Sequence, residues 1–151
     1  KAGYIADAEA ARTRLTIGIL NGIFYNAATT QKPTFANHYV ANTVPANSEN
    51  ITAFVIDNPL QLFSVSADLA VTQAMMGTTR GVTQAAAAGS TLSGQSSKQL
   101  DIGSAASATA NTFRLLRSAE DPENNDLTAA NSTVIVCQNL NQYLTNAVTW
   151  Q

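Results

Sequence analysis

His38 and Cys137 are the only histidine and the only cysteine in the 151 residues. A serine–histidine–carboxylate arrangement needs the imidazole beside a serine, and the chain has no G-x-S-x-G elbow to present one. His38 therefore reads as a surface or partly packed histidine. One histidine and one cysteine fall short of the nitrogen and sulfur ligands of a zinc site. Cys137 ends the run TVIVC. That run has a strand pattern, so we expect a small buried hydrophobe rather than a nucleophile.

The carboxylates come next. Asp57, Asp68 and Asp101 fall at expected strand ends, where a facing pair would serve glycoside hydrolysis; turn capping is the default reading for Asp57. Asp121, Glu123, Asn125 and Asp126 alternate oxygen ligands in the manner of a calcium loop. The calcium-loop pattern then fails: its sixth position is Asp126 instead of glycine and its twelfth is Ser132 instead of glutamate. A solvated turn is the better reading. Asn50-Ile51-Thr52 and Asn131-Ser132-Thr133 match the glycosylation sequon, as a chain rich in Asn and Thr does by chance. Neither TTRG nor AAAAGSTLSG ends in the Gly-Lys-Ser/Thr of a phosphate loop. We expect no catalytic residue, no cofactor and no metal, hence no enzyme.

Composition points the same way. Charged residues make up 12% of the chain, about half the usual share, and Ser, Thr, Asn, Gln and Ala fill the gap. Such a surface suits a protein covered by neighbours or one that works outside cells. Net charge is -2 and the basic residues are dispersed, so no nucleic-acid partner is expected. No apolar run reaches the ~20 residues of a membrane span, and no signal peptide is legible. The first residue is Lys1 rather than Met, which suggests an upstream piece that was removed or renumbered.

Period-2 alternation carries the fold reading. Residues 51–68, ITAFVIDNPLQLFSVSAD, read as two antiparallel strands around a turn at Asn58-Pro59, forming one corner of an all-β domain. Residues 15–25, LTIGILNGIFY, read as a hairpin turning at Asn21-Gly22. Residues 1–14 allow a short helix. Residues 26–50 read as an extended connector with a short strand near 38–41. Asp68 is a candidate cap for a helical turn, and residues 77–95 are nearly pure loop chemistry. Residues 99–102, 111–117 and 133–138 read as strands. The last stretch ends with an apolar set of Leu140, Tyr143, Leu144, Val148 and Trp150. The sum is an all-β antiparallel sandwich or barrel of about six to eight short strands. It divides into an N-terminal arm, residues 1–50, and a β domain, residues 51–151. Phe54, Ile56, Phe63, Val65, Leu115, Val134 and Val136 are expected in one core.

Between Ile51 and Tyr143 the order of segments resembles small virion structural proteins encoded beside the capsid genes of tailed bacteriophages. The segments are FVIDNPLQLFSVSAD, STLSGQSSKQLD, TFRLLRSAEDPENND and VIVCQNLNQY. Asp57-Asn58-Pro59, Phe63, Leu100-Asp101, Asn124 and Gln142-Tyr143 match that pattern; the alanine run 85–88 and Cys137 depart from it. The resemblance implies a decoration or cement protein of a virion capsid. Its partners would be the major capsid protein and copies of itself, with a trimer as one form of the homo-oligomer. The alternative is an all-β binding module, carbohydrate-binding or adhesin-like, which needs exposed aromatics on one face. Two strands alone are marginal in water. The interface is therefore expected in the arm, at Leu15, Ile17, Ile19, Ile23, Phe24, Phe35 and Tyr39.

Overall fold

The computed structural model describes residues 16–40, 42–84, 89–90, 92–104 and 111–143. Among them eight strands form: β1 (Ile19–Asn26), β2 (Pro33–Ala36), β3 (Thr52–Ile56), β4 (Leu62–Ser66), β5 (Thr79–Gln84), β6 (Lys98–Asp101), β7 (Phe113–Ser118) and β8 (Thr133–Gln138). All pairings between them are antiparallel. One sheet has the order β2-β1-β3, the other β4-β8-β7-β5-β6. The all-β antiparallel expectation is borne out.

The core belongs to the five-stranded sheet. Along β8 every second side chain is buried: Val134, Val136 and Gln138. Register places Val136 between Phe63 and Leu115, and Val134 beside Val65. Ala67, Val71, Leu100, Ile102 and Leu115 complete the buried cluster, with Phe63, Val65, Met75, Met76, Phe113 and Leu127 packed against it. The sheet curls into a half-barrel, and its two edges meet at one end. There Ala67 bridges Leu100, the Asp68 N–H donates to the Leu100 carbonyl at 3.1 Å, and the Ile102 N–H donates to Asp68 Oδ1 at 2.8 Å. Asp68 therefore fastens this seam instead of capping a helical turn. The short 3-10 turn Gln73–Met75 follows Thr72, which makes no side-chain capping bond.

The loop reading of 77–95 fails over Thr79–Gln84, which is β5. The reason is an arginine at a core position. Arg80 pairs with Phe113 and faces inward, 6% exposed. Its Nη1 donates to the carbonyls of Ile102 and Ser104, each at 2.7 Å. Buried polar groups persist when such bonds satisfy them. Asn111, also buried, donates its amide to the Thr79 carbonyl at 2.8 Å.

The three-stranded sheet corrects two readings. Asn21-Gly22 is not a hairpin turn. β1 runs straight through it, with a bulge between Leu20 and Gly22 against β3. The hairpin joins β1 to β2 one turn later, where the Ala27 N–H donates to the Lys32 carbonyl at 3.0 Å and Gln31 takes φ 53°. β2 lies within the expected connector, slightly before the strand placed near 38–41; residues 38–40 form no strand. Nor do β3 and β4 pair with each other. The turn at Asn58 forms as read, Asn58 Oδ1 accepting from the Leu60 N–H at 3.0 Å, but it carries the chain from one sheet to the other. Phe54 and Ile56 therefore lie outside the core around Leu115: Phe54 is 45% exposed and Ile56 half-buried.

β1 and β2 lie on one side of the division expected between residues 50 and 51, and β3, which completes their sheet, on the other. Thr16 ties the sheets together. It bridges Asn141, and its N–H donates to the Leu140 carbonyl at 2.8 Å. The helix allowed in 1–14, Leu15, the alanine run 85–88, and Leu144, Val148 and Trp150 lie outside the described residues.

Candidate functional site

Three phenylalanines stand on one face of the three-stranded sheet. Cross-strand partners share a face, and the register sets Phe24 opposite Phe35 and Gly22 opposite Phe54. Gly22 leaves the space in the middle. A Cβ there would lie 2.8 Å from Phe35 Cζ and 3.0 Å from the Ala36 carbonyl oxygen. Over the glycine the Phe35 and Phe54 rings meet, centroids 5.8 Å apart and tilted by 41°. Such tilted pairs follow the ring quadrupoles and add to simple burial. Phe24, Phe35 and Phe54 are 39%, 63% and 45% exposed. At ~200 Å² per ring they offer on the order of 300 Å² of aromatic surface. The opposite face turns inward: Ile23, facing Ala36 and Ala53 across its two neighbours, is 3% exposed. None of β1, β2 and β3 carries an ionisable side chain in its strand residues except Tyr25, which is half-buried on that inner face. An uncharged aromatic patch of this size binds by shape and desolvation.

Of the expected interface residues, Phe24, Phe35, Tyr39 and Ile17 are exposed, Ile19 is half-buried and Ile23 is buried. Leu15 lies outside the described residues. Phe54 was missed because alternation within 51–56 does not say which face is covered. The signal that would have found it is the single small residue, Gly22, in a run that must pair with two Phe-bearing strands.

The chemical candidates are scattered. His38 Nδ1 lies 2.7 Å from Asn37 Oδ1, and Asn37 donates to the Ser93 carbonyl at 2.9 Å. Cys137 is not a buried hydrophobe. The alternation that buries Val136 and Gln138 turns Cys137 outward, opposite Arg114 and Leu62. It stands half-buried in a shallow cleft of about 290 Å³ with Arg114, Gln138 and Asn139. Asp57 is exposed at the inter-sheet turn, whereas Asp68 and Asp101 sit at the seam.

In the acidic loop, Asp121 Oδ1 accepts from the Glu123 N–H at 3.1 Å. Asp126 Oδ1 accepts from the Thr128 hydroxyl at 2.6 Å and from its N–H at 2.9 Å. These bonds, the hydroxyl's first, hold the Asp126 carboxyl below its ordinary 3.8. Among the described residues no three of His, Cys, Asp and Glu are grouped to hold a metal ion. The sequon at Asn131 is occupied structurally: Asn131 Oδ1 accepts from Gln99, Ser132 is fully buried, and Thr133 Oγ1 accepts from Asn124.

Comparison of the chain with protein-family models, with curated proteins and with solved structures finds no match.

Proposed function

We propose that this chain is a structural assembly protein that docks through the Phe24–Phe35–Phe54 face and acts by binding, not turnover. The observation that carries the reading is the exposed aromatic triad on a sheet face without charge. Rings of this kind supply large rigid contact area at little entropy loss. The low charge of the whole chain supports a surface largely covered by neighbours. With the sequence resemblance, the reading becomes a decoration or cement protein of a virion capsid, with the major capsid protein and copies of itself as partners.

The test is sedimentation with particles that lack the protein. The wild-type chain is expected to co-sediment. Phe35→Asp, at the most exposed ring, is expected to lose binding more than tenfold while keeping its circular dichroism spectrum. Equal binding of Phe35→Asp would refute the face, and no binding by the wild type would refute the role.

The same triad favours one second reading, a sugar-binding module, because aromatic rings gathered on one sheet face are what such a module needs. The 41° tilt between Phe35 and Phe54, and rings without a hydroxyl or indole N–H, fit an apolar protein contact better. Calorimetric heat with an oligosaccharide, lost in Phe35→Ala, would reverse that preference.

A further inference from the structure

Asn21-Gly22 is the one Asn-Gly step in the sequence, and it makes no turn. The closeness of Phe35 accounts for the glycine and leaves the asparagine unexplained. Asn21 is the extra residue of the bulge. Against β3 the register passes from Leu20 opposite Val55 directly to Gly22 opposite Phe54, and β2 pairs with β1 only from Ile23 onward. Asn21 therefore has no cross-strand partner on either side. Leu20 and Asn21 are exposed in succession, which is how a bulge breaks the alternation of a strand. Among the described residues the Asn21 amide makes no hydrogen bond. The amides of Asn26, Asn37, Asn111 and Asn139 are each held by an acceptor.

We infer that Asn21 is a site of spontaneous deamidation, and that its isoaspartate product unseats the aromatic face. Asparagine is a thermolabile residue, and a following glycine has no side chain to obstruct the attack. The deprotonated Gly22 nitrogen adds to Asn21 Cγ. The N–Cγ bond forms, the Cγ–Nδ2 bond breaks, and the amide nitrogen leaves as ammonia, carrying a proton in place of the one Gly22 gave up. Water then opens the succinimide ring. Hydrolysis at Cγ gives aspartate. Hydrolysis at the main-chain carbonyl gives isoaspartate, whose backbone runs through Cβ and Cγ. Either product puts a carboxylate on strands whose one ionisable side chain is Tyr25. Isoaspartate also lengthens β1 by a methylene immediately before Gly22. That position has no slack, since even an added Cβ would meet Phe35 Cζ at 2.8 Å and the Ala36 carbonyl oxygen at 3.0 Å. Moving Gly22 along the strand takes it from beneath the Phe35–Phe54 contact, which the glycine alone leaves room for.

This goes beyond the docking reading by giving the aromatic face a finite covalent lifetime. Its rate and its structural effect are both read on the free chain, so its failure is separate from any failure of particle binding.

The test incubates the full chain at mildly alkaline pH, native and in urea, and follows each asparagine by peptide mass spectrometry. In the native chain Asn21 is expected to deamidate faster than any other asparagine and within tenfold of its rate in urea. A native rate more than tenfold below the unfolded one would show that the strand protects Asn21, and would overturn the site. Asn21→Gln is expected to abolish the acidic form seen on isoelectric focusing; its persistence would place the change elsewhere. The isoaspartate form, separated by ion exchange, is expected to unfold at a lower urea concentration than the fresh chain. Asn21→Asp adds the charge without the methylene and is expected to keep the fresh chain's midpoint. An isoaspartate form as stable as the fresh chain, or an equal loss in Asn21→Asp, overturns the unseating.

Discussion

Gly22 is the residue on which the aromatic face depends. Adding a single methyl group there forces the Phe35 ring off its seat and presses on the Ala36 carbonyl. We expect Gly22→Ala to destabilise the fold by about 1–3 kcal/mol, the usual range for overpacking, measured by urea unfolding. Adding Phe35→Ala should recover part of that loss, because the ring is one of the two clashing groups. Strict additivity of the two changes would show that the ring does not rest on the glycine. At Asp126 the expectation is a titration. Its folded value lies below the ordinary 3.8, so its bonds to Thr128 hold above that value and are lost as pH falls through the depressed one. A carboxyl-detected NMR titration should give a midpoint below 3.8, and Thr128→Val should raise it by removing the hydroxyl. An unchanged midpoint in Thr128→Val would assign the shift elsewhere.

At the level of strands, burial ranks the core residues. Leu115 is fully buried between β5 and β8, so Leu115→Ala should cost about 2–5 kcal/mol. Phe63, on the edge strand β4, is only half-buried, and Phe63→Ala should cost less than Leu115→Ala despite the larger side chain. The reverse order in urea unfolding would misplace the centre of the core. Arg80→Ala should cost about 2–4 kcal/mol, because it leaves the Ile102 and Ser104 carbonyls without their donor. The same residue explains what the sequence concealed. β8 was legible to its end residues, and β3, β4 and β7 were legible as alternation, since each carries aliphatic or aromatic side chains at every second position. β5 was not, because its inward positions are Arg80 and Val82, and a guanidinium that satisfies two carbonyls has no hydropathic signature. Asn21-Gly22 misled for a related reason. The pair tolerates a tight turn, but here the glycine is needed for closeness and the bulge accommodates the extra residue. Phe24 and Phe35 were expected at an interface and are exposed; the exposure of Phe54 was not legible, because pairing partners 30 residues away decide its face.

In the whole chain, every member of the buried cluster lies between residues 67 and 136, while β1 and β2 supply two-thirds of the other sheet. Deleting residues 1–50 should therefore leave the five-stranded sheet cooperative in thermal unfolding but strip β3 of its partner and abolish particle binding. Loss of the cooperative transition would show that the Thr16 tie to residues 140–142 is needed for the larger sheet itself.

That tie has a bearing on synthesis. β4 can pair only with β8, whose partner residues follow some 70 positions later, and Thr16 waits 124 residues for Leu140. At translation rates of roughly 5–20 residues per second, β4 stays single for on the order of ten seconds. During that time the sheet of β1, β2 and β3 has all its strands, whereas β5, β6 and β7 can pair only among themselves until β8 follows. The small sheet's aromatic face is thus displayed before the half-barrel closes.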